Sequence, residues 1–336
     1  MKYAGIGPIA IHLPEKIEDN AFLEAENPSW DMKVIGSKTG IYSRHIAAPN
    51  ECSSDLGEQA AIKLFESNDI DPESIDFLLL CTQTPDYALP TTACVLQNRL
   101  GMRTDSGALD FNLGCSGFVY GLAMADGLIR TGSAQRILLI TAETYTKLIH
   151  PTDRTLRTIF GDGAAATLIE ANSQPSMWGY RYGTDGSGAD TLLAHCGGFR
   201  AKDDAITPRH RKRWPSDLYM DGPSLLSFTV GKIPDTIKNI LNTANTTEEQ
   251  IEYYLFHQAT FKLLDQLRQA LNLEPEKLPI RLEHIGNIVS CTLPILIQQM
   301  RESGELTQQQ KNLLVGFGVG WSWAGCVWQD VLGPNR

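Results

Sequence analysis

The feature that most constrains this chain is an internal repeat that relates its first half to its second. Residues 75–84 (IDFLLLCTQT) and 251–260 (IEYYLFHQAT) share an Ile, an acid, a short apolar run and a polar segment with Gln. Farther along, residues 132–140 and 304–315 both combine a glycine, a polar stretch and a second apolar run, at nearly the same offset. Similarity at a fixed offset indicates one duplicated structural unit.

The length of the chain agrees with two halves. At 336 residues it lies where a single hydrophobic core stops growing. We place the halves at residues 1–175 and 176–336, and the glycine-, proline- and charge-rich residues 184–221 predict an inserted loop region. Within each half, apolar runs of strand length alternate with helical stretches of 3.6-residue period, which is typical of βαβ units. The predicted fold is α/β, with two pseudo-symmetric βαβ-based halves stacked in layers around a central cleft.

Composition and charge exclude several classes of protein. With 42% hydrophobic and 20% charged residues, and no apolar run long enough to cross a membrane, a soluble globular protein is expected. The net charge of −10 argues against nucleic-acid binding, although residues 209–213 (RHRKR) form a basic cluster that fits either a solvated loop or an anionic partner. The seven cysteines are scattered without a CxxC pair, so no disulfide framework or metal site is expected, and a cytoplasmic location fits best.

The segment around Cys115 (DFNLGCSGFVYG) carries the strongest chemical signal. A buried strand ends there, Gly114 and Gly117 permit a tight turn, and a helix is predicted over residues 116–130. A thiol at the start of a helix faces unpaired amide groups and the positive end of the helix dipole, so we expect a lowered thiol pKa. Taken alone, the residue could equally be a small buried core side chain.

Two further candidate residues lie in the second half. His257 follows the apolar run of the second copy of the repeat, and Asn287 stands between a glycine and a predicted helix. Each alone is commonly structural, the histidine as a hydrogen-bonded core residue and the asparagine as a helix cap. With Cys115 they make a coherent set: one nucleophile and two donors that could stabilise an enolate oxygen without a metal.

The glycine loop at residues 316–320 (GFGVG) superficially resembles a dinucleotide-binding loop. Too few residues follow Gly320 to complete a βαβ unit, so a nicotinamide site is not expected. The glycines could instead let the backbone approach an acyl carbonyl, with the amides of Val319 and Cys115 as an oxyanion hole.

Together these segments resemble the β-ketoacyl-acyl-carrier-protein synthase III family of thiolase-fold condensing enzymes. The Cys115, His257 and Asn287 stretches, residues 161–164 (GDGA) and residues 39–41 (TGI) occur in the family's order and spacing. The resemblance runs from residue 1 to about 330 and therefore covers nearly the whole chain.

The resemblance implies an activity and a set of partners. Cys115 would be acylated by acyl-coenzyme A, and His257 and Asn287 would promote decarboxylation of malonyl-acyl carrier protein, so that a β-ketoacyl product forms. Both thioesters are substrates, and no cofactor is implied. The resemblance also implies a homodimer, with Leu89 crossing into the partner's acyl tunnel.

Some positions depart from the family's pattern. Val34 stands where an adenine-stacking Trp is expected, and Lys38 replaces an Arg, so Lys38, Arg154 and Lys262 are the candidate contacts to coenzyme A or its carrier. These changes and the basic insertion favour a specialised pathway over general fatty-acid biosynthesis. An acyltransferase that uses His257 as general base toward an alcohol or amine is the alternative activity.

Overall fold

The structure, a computed structural model, describes residues 2–195, 197–199, 216–308 and 310–333. Its strands are β1 Tyr3–His12, β2 Lys16–Asp19, β3 Ser43–Ile46, β4 Phe77–Cys81, β5 Gly107–Phe111, β6 Arg136–Glu143, β7 Gly163–Asn172, β8 Met177–Thr184, β9 Leu192–Ala194, β10 Leu218–Met220, β11 Ile251–Phe256, β12 Lys311–Gly318 and β13 Ser322–Gln329. Its helices are α1 Asn20–Glu26, α2 Met32–Thr39, α3 Ser53–Asn68, α4 Thr92–Arg99, α5 Gly117–Arg130, α6 Arg154–Arg157, α7 Gly222–Ala244, α8 Phe261–Ala270 and α9 Thr292–Glu302.

Two larger sheets organise the molecule. The first has the strand order β1-β7-β6-β4-β5, and the second has the order β11-β12-β13-β8. The β4 strand pairs in parallel with β5 and β6, and β11 pairs in parallel with β12, while the remaining pairs in both sheets are antiparallel. The strands β4 and β11, which the repeat relates, each pair in parallel with a neighbour. The predicted βαβ pattern therefore describes only the parallel part of each sheet.

The sheets and helices stack in layers because each sheet has two apolar faces to cover. One core joins the facing sides of both sheets through α5 and α9, which lie between them. A second core packs α3 and α4 on the outer face of the first sheet, and a third packs α7 and α8 on the outer face of the second. Along β4, Leu79 belongs to the central core and Leu78 and Leu80 to an outer one, as the alternation of a strand requires.

The sequence predicted the main elements closely. The apolar runs of the repeat are the strands β4, β6, β11 and β12, and the helix expected over residues 116–130 is Gly117–Arg130. The strand ends of both halves meet where the cleft was expected. The boundary placed at residue 175 falls between β7 and β8, and the division into halves stays a prediction.

The expected loop region at residues 184–221 differs in part from its prediction. Within it, Leu192–Ala194 pairs antiparallel with Leu218–Met220 in a small separate sheet, and Gly186–Gly188 forms one turn of 3₁₀-helix. The interpretation as loop was wrong for these segments because three-residue strands leave too little periodicity to detect. The basic cluster at residues 209–213 lies outside the described residues.

Candidate active site

Cys115 lies in the turn between β5 and α5, two residues before the helix begins. Glycine is required at positions 114 and 117 because other side chains approach the backbone closely there. A Cβ at Gly114 would lie 2.5 Å from Oε1 of Gln83, and one at Gly117 would lie 2.2 Å from Sγ of Cys81. Cys115 is only 6% exposed, yet it forms part of the wall of a mostly apolar cavity. The thiol is thus buried and reachable from that cavity.

The prediction of a lowered thiol pKa is wrong for the free protein. Burial and the nearby Glu143 together raise the pKa of Cys115 to about 12, although hydrogen bonds from the backbone amides of Cys115 and Val319 act to lower it. Desolvation of the thiolate therefore outweighs the favourable amides at the start of α5.

The glycine loop at the end of β12 lies directly against Cys115. A Cβ at Gly316 would lie 2.5 Å from the Cys115 carbonyl oxygen, and one at Gly318 would lie 2.7 Å from its sulfur. Because the Val319 amide donates to that sulfur, two backbone N–H groups converge on the nucleophile. These two amides are the candidates for an oxyanion hole, whose donors must reach the thioester carbonyl oxygen, and that catalytic role stays a prediction.

His257 is buried at the end of β11, where it meets α9. Its Nδ1 lies 2.7 Å from Oγ1 of Thr292. The same hydroxyl accepts a hydrogen bond from the Gln258 amide and lies 3.2 Å from the Val289 carbonyl oxygen. Burial lowers the pKa of His257 to about 3, although the Val289 backbone opposes that shift. The imidazole is therefore neutral at physiological pH.

Asn287 is fixed from both its backbone and its side chain. Its backbone amide donates to the Ile159 carbonyl, and its own carbonyl accepts from Gly161. The side-chain Oδ1 accepts from the Val289 amide at 2.9 Å, so Nδ2 is the end of the amide left for a ligand. Val289 itself has φ of 47°, an unfavourable value for a β-branched residue, and the contacts on both sides hold it there.

One cavity of about 450 Å³ brings Cys115, His257 and Asn287 together. Its walls are mostly apolar, and they were not predicted from the sequence because they come from distant segments: Tyr145, Ile159, Phe160, Leu192, Met220, Leu225, Leu226, Val289 and Phe317. Lys262 and Leu263 of α8 also belong to the wall. A mostly apolar cavity that contains a thiol and two polar side chains suits an acyl thioester.

The other predicted site residues lie outside that wall. Arg154 is exposed at the start of α6, and Lys38 is exposed in the last turn of α2, which contacts the helix that carries Lys262. Leu89 is 79% exposed on the segment before α4. Lys262 belongs to the cavity wall and Lys38 lies on the helix that contacts α8, and roles for all four residues stay predictions.

Two absences can be stated for the part of the chain that the structure describes. No helix there is long and apolar enough to cross a membrane. No group of three or more His, Cys, Asp or Glu side chains there is arranged to hold a metal ion.

Comparisons with known proteins agree with this geometry. Residues 109–186 match the family model for 3-oxoacyl-[acyl-carrier-protein] synthase III, and residues 241–330 match the model for its C-terminal part. The chain is similar to β-ketoacyl-[acyl-carrier-protein] synthase III of Lactococcus lactis subsp. lactis, with 36% identity over 97% of this chain and 99% of the relative. The enzyme of that name from Clostridioides difficile is 33% identical over 96% of this chain and 97% of the relative.

A solved structure of a 3-oxoacyl-(acyl-carrier-protein) synthase III superposes with a TM-score of 0.92. It is 44% identical in sequence, and the alignment covers 97% of this chain and 99% of that one. The fold of the present chain is therefore the thiolase fold that the sequence predicted.

Proposed function

This chain belongs to the 3-oxoacyl-[acyl-carrier-protein] synthase III family, and we propose that it uses Cys115, His257 and Asn287 for decarboxylative condensation. The chain is an enzyme, and the finer description proposed here is an acyltransferase that joins an acyl group to a malonyl thioester. The observation that carries the proposal is the single cavity that contains all three side chains.

The first half-reaction loads Cys115. Its sulfur attacks the carbonyl of an acyl thioester, and the thiol of coenzyme A or a carrier leaves with a proton. The amides of Cys115 and Val319 already converge on the sulfur, so the carbonyl oxygen of the new thioester has donors in reach when charge develops on it. Their placement costs no rearrangement during the reaction.

The second half-reaction forms the carbon–carbon bond. As a malonyl thioester loses CO₂, Nε2 of His257 and Nδ2 of Asn287 donate to the thioester oxygen that becomes negative. The enolate then attacks the acyl carbonyl on Cys115, the bond from that carbonyl to the sulfur breaks, the β-ketoacyl product leaves, and the sulfur takes a proton from solvent to restore the thiol. This role requires the tautomer with the proton on Nε2, in which Nδ1 accepts from the Thr292 hydroxyl 2.7 Å away.

The burial of His257 argues against the alternative acyltransferase activity toward an alcohol or amine. A general base works best when its pKa is close to the operating pH. With its pKa lowered to about 3, the imidazole is a weak base, whereas it remains a good neutral donor. The site is therefore better suited to stabilising an enolate than to deprotonating an acceptor.

A single assay separates the two activities. Enzyme loaded on Cys115 and then given malonyl-acyl carrier protein is expected to release CO₂ and one β-ketoacyl product per turnover. Measurement of CO₂ together with product mass checks this. Loaded enzyme that releases no CO₂ but passes its acyl group to an alcohol or amine would contradict condensation.

The substrate thioesters are proposed to enter between α2, α6 and α8. Lys38, Arg154 and Lys262 are exposed cations on those helices and could meet the phosphates of coenzyme A or the prosthetic group of an acyl carrier protein. Reversal of the charge at Lys262, which forms part of the cavity wall, is the most direct probe of this entry. The scattered free cysteines support the proposed cytoplasmic location.

We also propose a homodimer, supported by an uncovered edge of the first sheet. The β5 strand ends that sheet, and its Leu109 is exposed, as are Tyr87 and Leu89 on the segment after β4. An exposed edge strand beside apolar side chains invites pairing with another chain. Leu89 is proposed to reach the partner's acyl tunnel.

The 37.1 kDa chain is accordingly expected to behave as a dimer at micromolar concentration. Light scattering with size-exclusion chromatography measures the mass directly. A Leu109→Arg change should shift the protein toward monomer, because it places a charge on the pairing edge, while Leu332→Arg, at another exposed leucine, should not. A fully active wild-type monomer would rule out the proposed role of Leu89.

A further inference from the structure

Glu143 is a completely buried carboxyl group at the end of β6, two residues before Tyr145 of the cavity wall. Its Oε1 accepts from Oγ of Ser290 at 2.7 Å. Its Oε2 accepts from the Gln83 amide at 3.1 Å and from Oγ1 of Thr84 at 3.3 Å. A buried acid in the centre of a sheet is costly, and three donors from two separate segments hold this one.

These donors connect the two chemical elements of the site. Ser290 lies in the buried turn that follows Asn287, and the same turn includes strained Val289. Gln83 touches the other element, because its side-chain oxygen lies 2.5 Å from the position that a Cβ on Gly114 would take, one residue before Cys115. The carboxyl group of Glu143 therefore bridges the turn that carries the nucleophile and the loop that carries the amide donor.

The charge of Glu143 also reaches the nucleophile. Burial raises the pKa of Glu143 to about 8, with Asp162 adding to the rise, and a charged Glu143 in turn raises the pKa of Cys115. Cys81, Cys291 and Tyr145 also face this carboxyl group, and the pKa of each is raised above its ordinary value. Of these groups, Tyr145 and Cys115 belong to the cavity wall, and Cys115 is the one whose ionisation the proposed reaction uses.

We propose that Glu143 is a positioning residue of the condensation: its carboxyl group ties the Cys115 turn to the Asn287 loop, and its protonation controls how readily the Cys115 sulfur ionises. A protonated Glu143 leaves the sulfur free to become the attacking thiolate. An ionised Glu143 opposes that thiolate by like-charge repulsion. The inference rests on the proposed role of Cys115 and extends it to a residue outside the cavity wall.

The wild-type enzyme provides the first test, through the pH dependence of Cys115 alkylation by iodoacetamide, followed on the Cys115 peptide by mass spectrometry. Below about pH 8 the rate should rise tenfold per pH unit, as for any thiol. Above about pH 8 the alkylation rate should flatten. Glu143 and Cys115 titrate as a coupled pair, and once the pair has lost one proton, the fraction of that state in which Cys115 is the thiolate does not depend on pH. A profile that keeps its slope through this region would overturn the electrostatic part of the proposal.

Glu143→Gln removes the charge with little change of shape. Its alkylation rate should equal that of wild type at pH 6–7, where Glu143 is already neutral, and exceed it by about tenfold or more at pH 10, since one pKa unit is a factor of ten in thiolate. Asp126→Asn is the matched control, because it removes a buried carboxylate farther along α5 that bonds Ala4 and Arg130. If Glu143 had only a structural role, Glu143→Gln would change the alkylation rate by the same factor at every pH, and the shape of the pH profile would stay that of wild type.

Ser290→Ala tests the bridge while keeping the charge. We expect the wild-type alkylation profile and normal acyl loading, but roughly tenfold slower malonyl decarboxylation, because the Asn287 loop loses its tie to Glu143. Decarboxylation at the wild-type rate would overturn the bridging part. Failure of the proposed function would give a different result: Cys115 of the wild-type enzyme would react with neither iodoacetamide nor an acyl thioester.

Discussion

Replacing Cys115 with alanine is expected to abolish acyl loading and condensation while leaving slow release of CO₂ from malonyl-acyl carrier protein. The covalent intermediate forms on this sulfur, so no other group can take over the first half-reaction. The negative charge of decarboxylation develops on the malonyl thioester oxygen, next to His257 and Asn287, and does not require an acylated cysteine. Intact-mass measurement of the acyl adduct, paired with CO₂ measurement, follows the two half-reactions separately.

Cys94→Ala is the control for this experiment, because Cys94 is an exposed free thiol on α4. That variant should load one acyl group per chain, as wild type does. An adduct that persists in the Cys115→Ala variant, or a variant that loses CO₂ release together with loading, would contradict the assigned nucleophile or the independence of the half-reactions.

The success of the sequence in predicting the fold has a physical basis. Strands such as β4 and β11 are covered on both faces, so their apolar runs are continuous and their ends are marked by polar turns. The start of the helix after Cys115 is also marked in the sequence, by Gly114 and Gly117, which pack against Gln83 and Cys81. Local patterns of this kind survive in a single sequence, and they were enough to bring Cys115, His257 and Asn287 toward one cleft.

The electrostatics of the site could not be predicted in the same way. The lowered thiol pKa was inferred from the start of α5, but the observed rise depends on the depth of burial and on Glu143, which is distant in sequence. The walls of the cavity, including Tyr145 and Phe160, likewise come from segments whose proximity only the folded chain reveals. Val289 is a third example, since nothing local to a valine predicts a left-handed backbone.

The desolvated thiol has a consequence for how loading proceeds. With the pKa of Cys115 raised to about 12, only a small fraction of thiolate exists at neutral pH before substrate arrives. The backbone amides of Cys115 and Val319, which favour the anion in the free protein, must then favour the tetrahedral oxyanion as the acyl thioester is attacked. Selectivity toward acyl thioesters over other electrophiles follows, because only a carbonyl positioned in that amide pair gains this stabilisation.

The second large effect is expected on the other side of the cavity. His257→Ala and Asn287→Ala should each slow malonyl decarboxylation and condensation by about 10²–10³, the typical loss for one oxyanion donor. Acyl loading should remain largely intact, because the amides near Cys115 rather than the imidazole assist that step. Intact mass after exposure to acyl-coenzyme A and the rate of CO₂ release measure the two effects, and His284→Ala, at an exposed histidine, is the control.

Asn287→Asp separates a donor from a structural amide. Aspartate keeps the oxygen that accepts the Val289 amide, so the strained turn should keep its support. It removes the Nδ2 donor and places a negative charge where the enolate oxygen develops, so decarboxylation should fall at least as far as in Asn287→Ala. If Asn287→Asp instead kept most of the decarboxylation that Asn287→Ala loses, Asn287 would act only by holding Val289. Enolate stabilisation would then rest on His257, whose neutral imidazole would have to supply it alone.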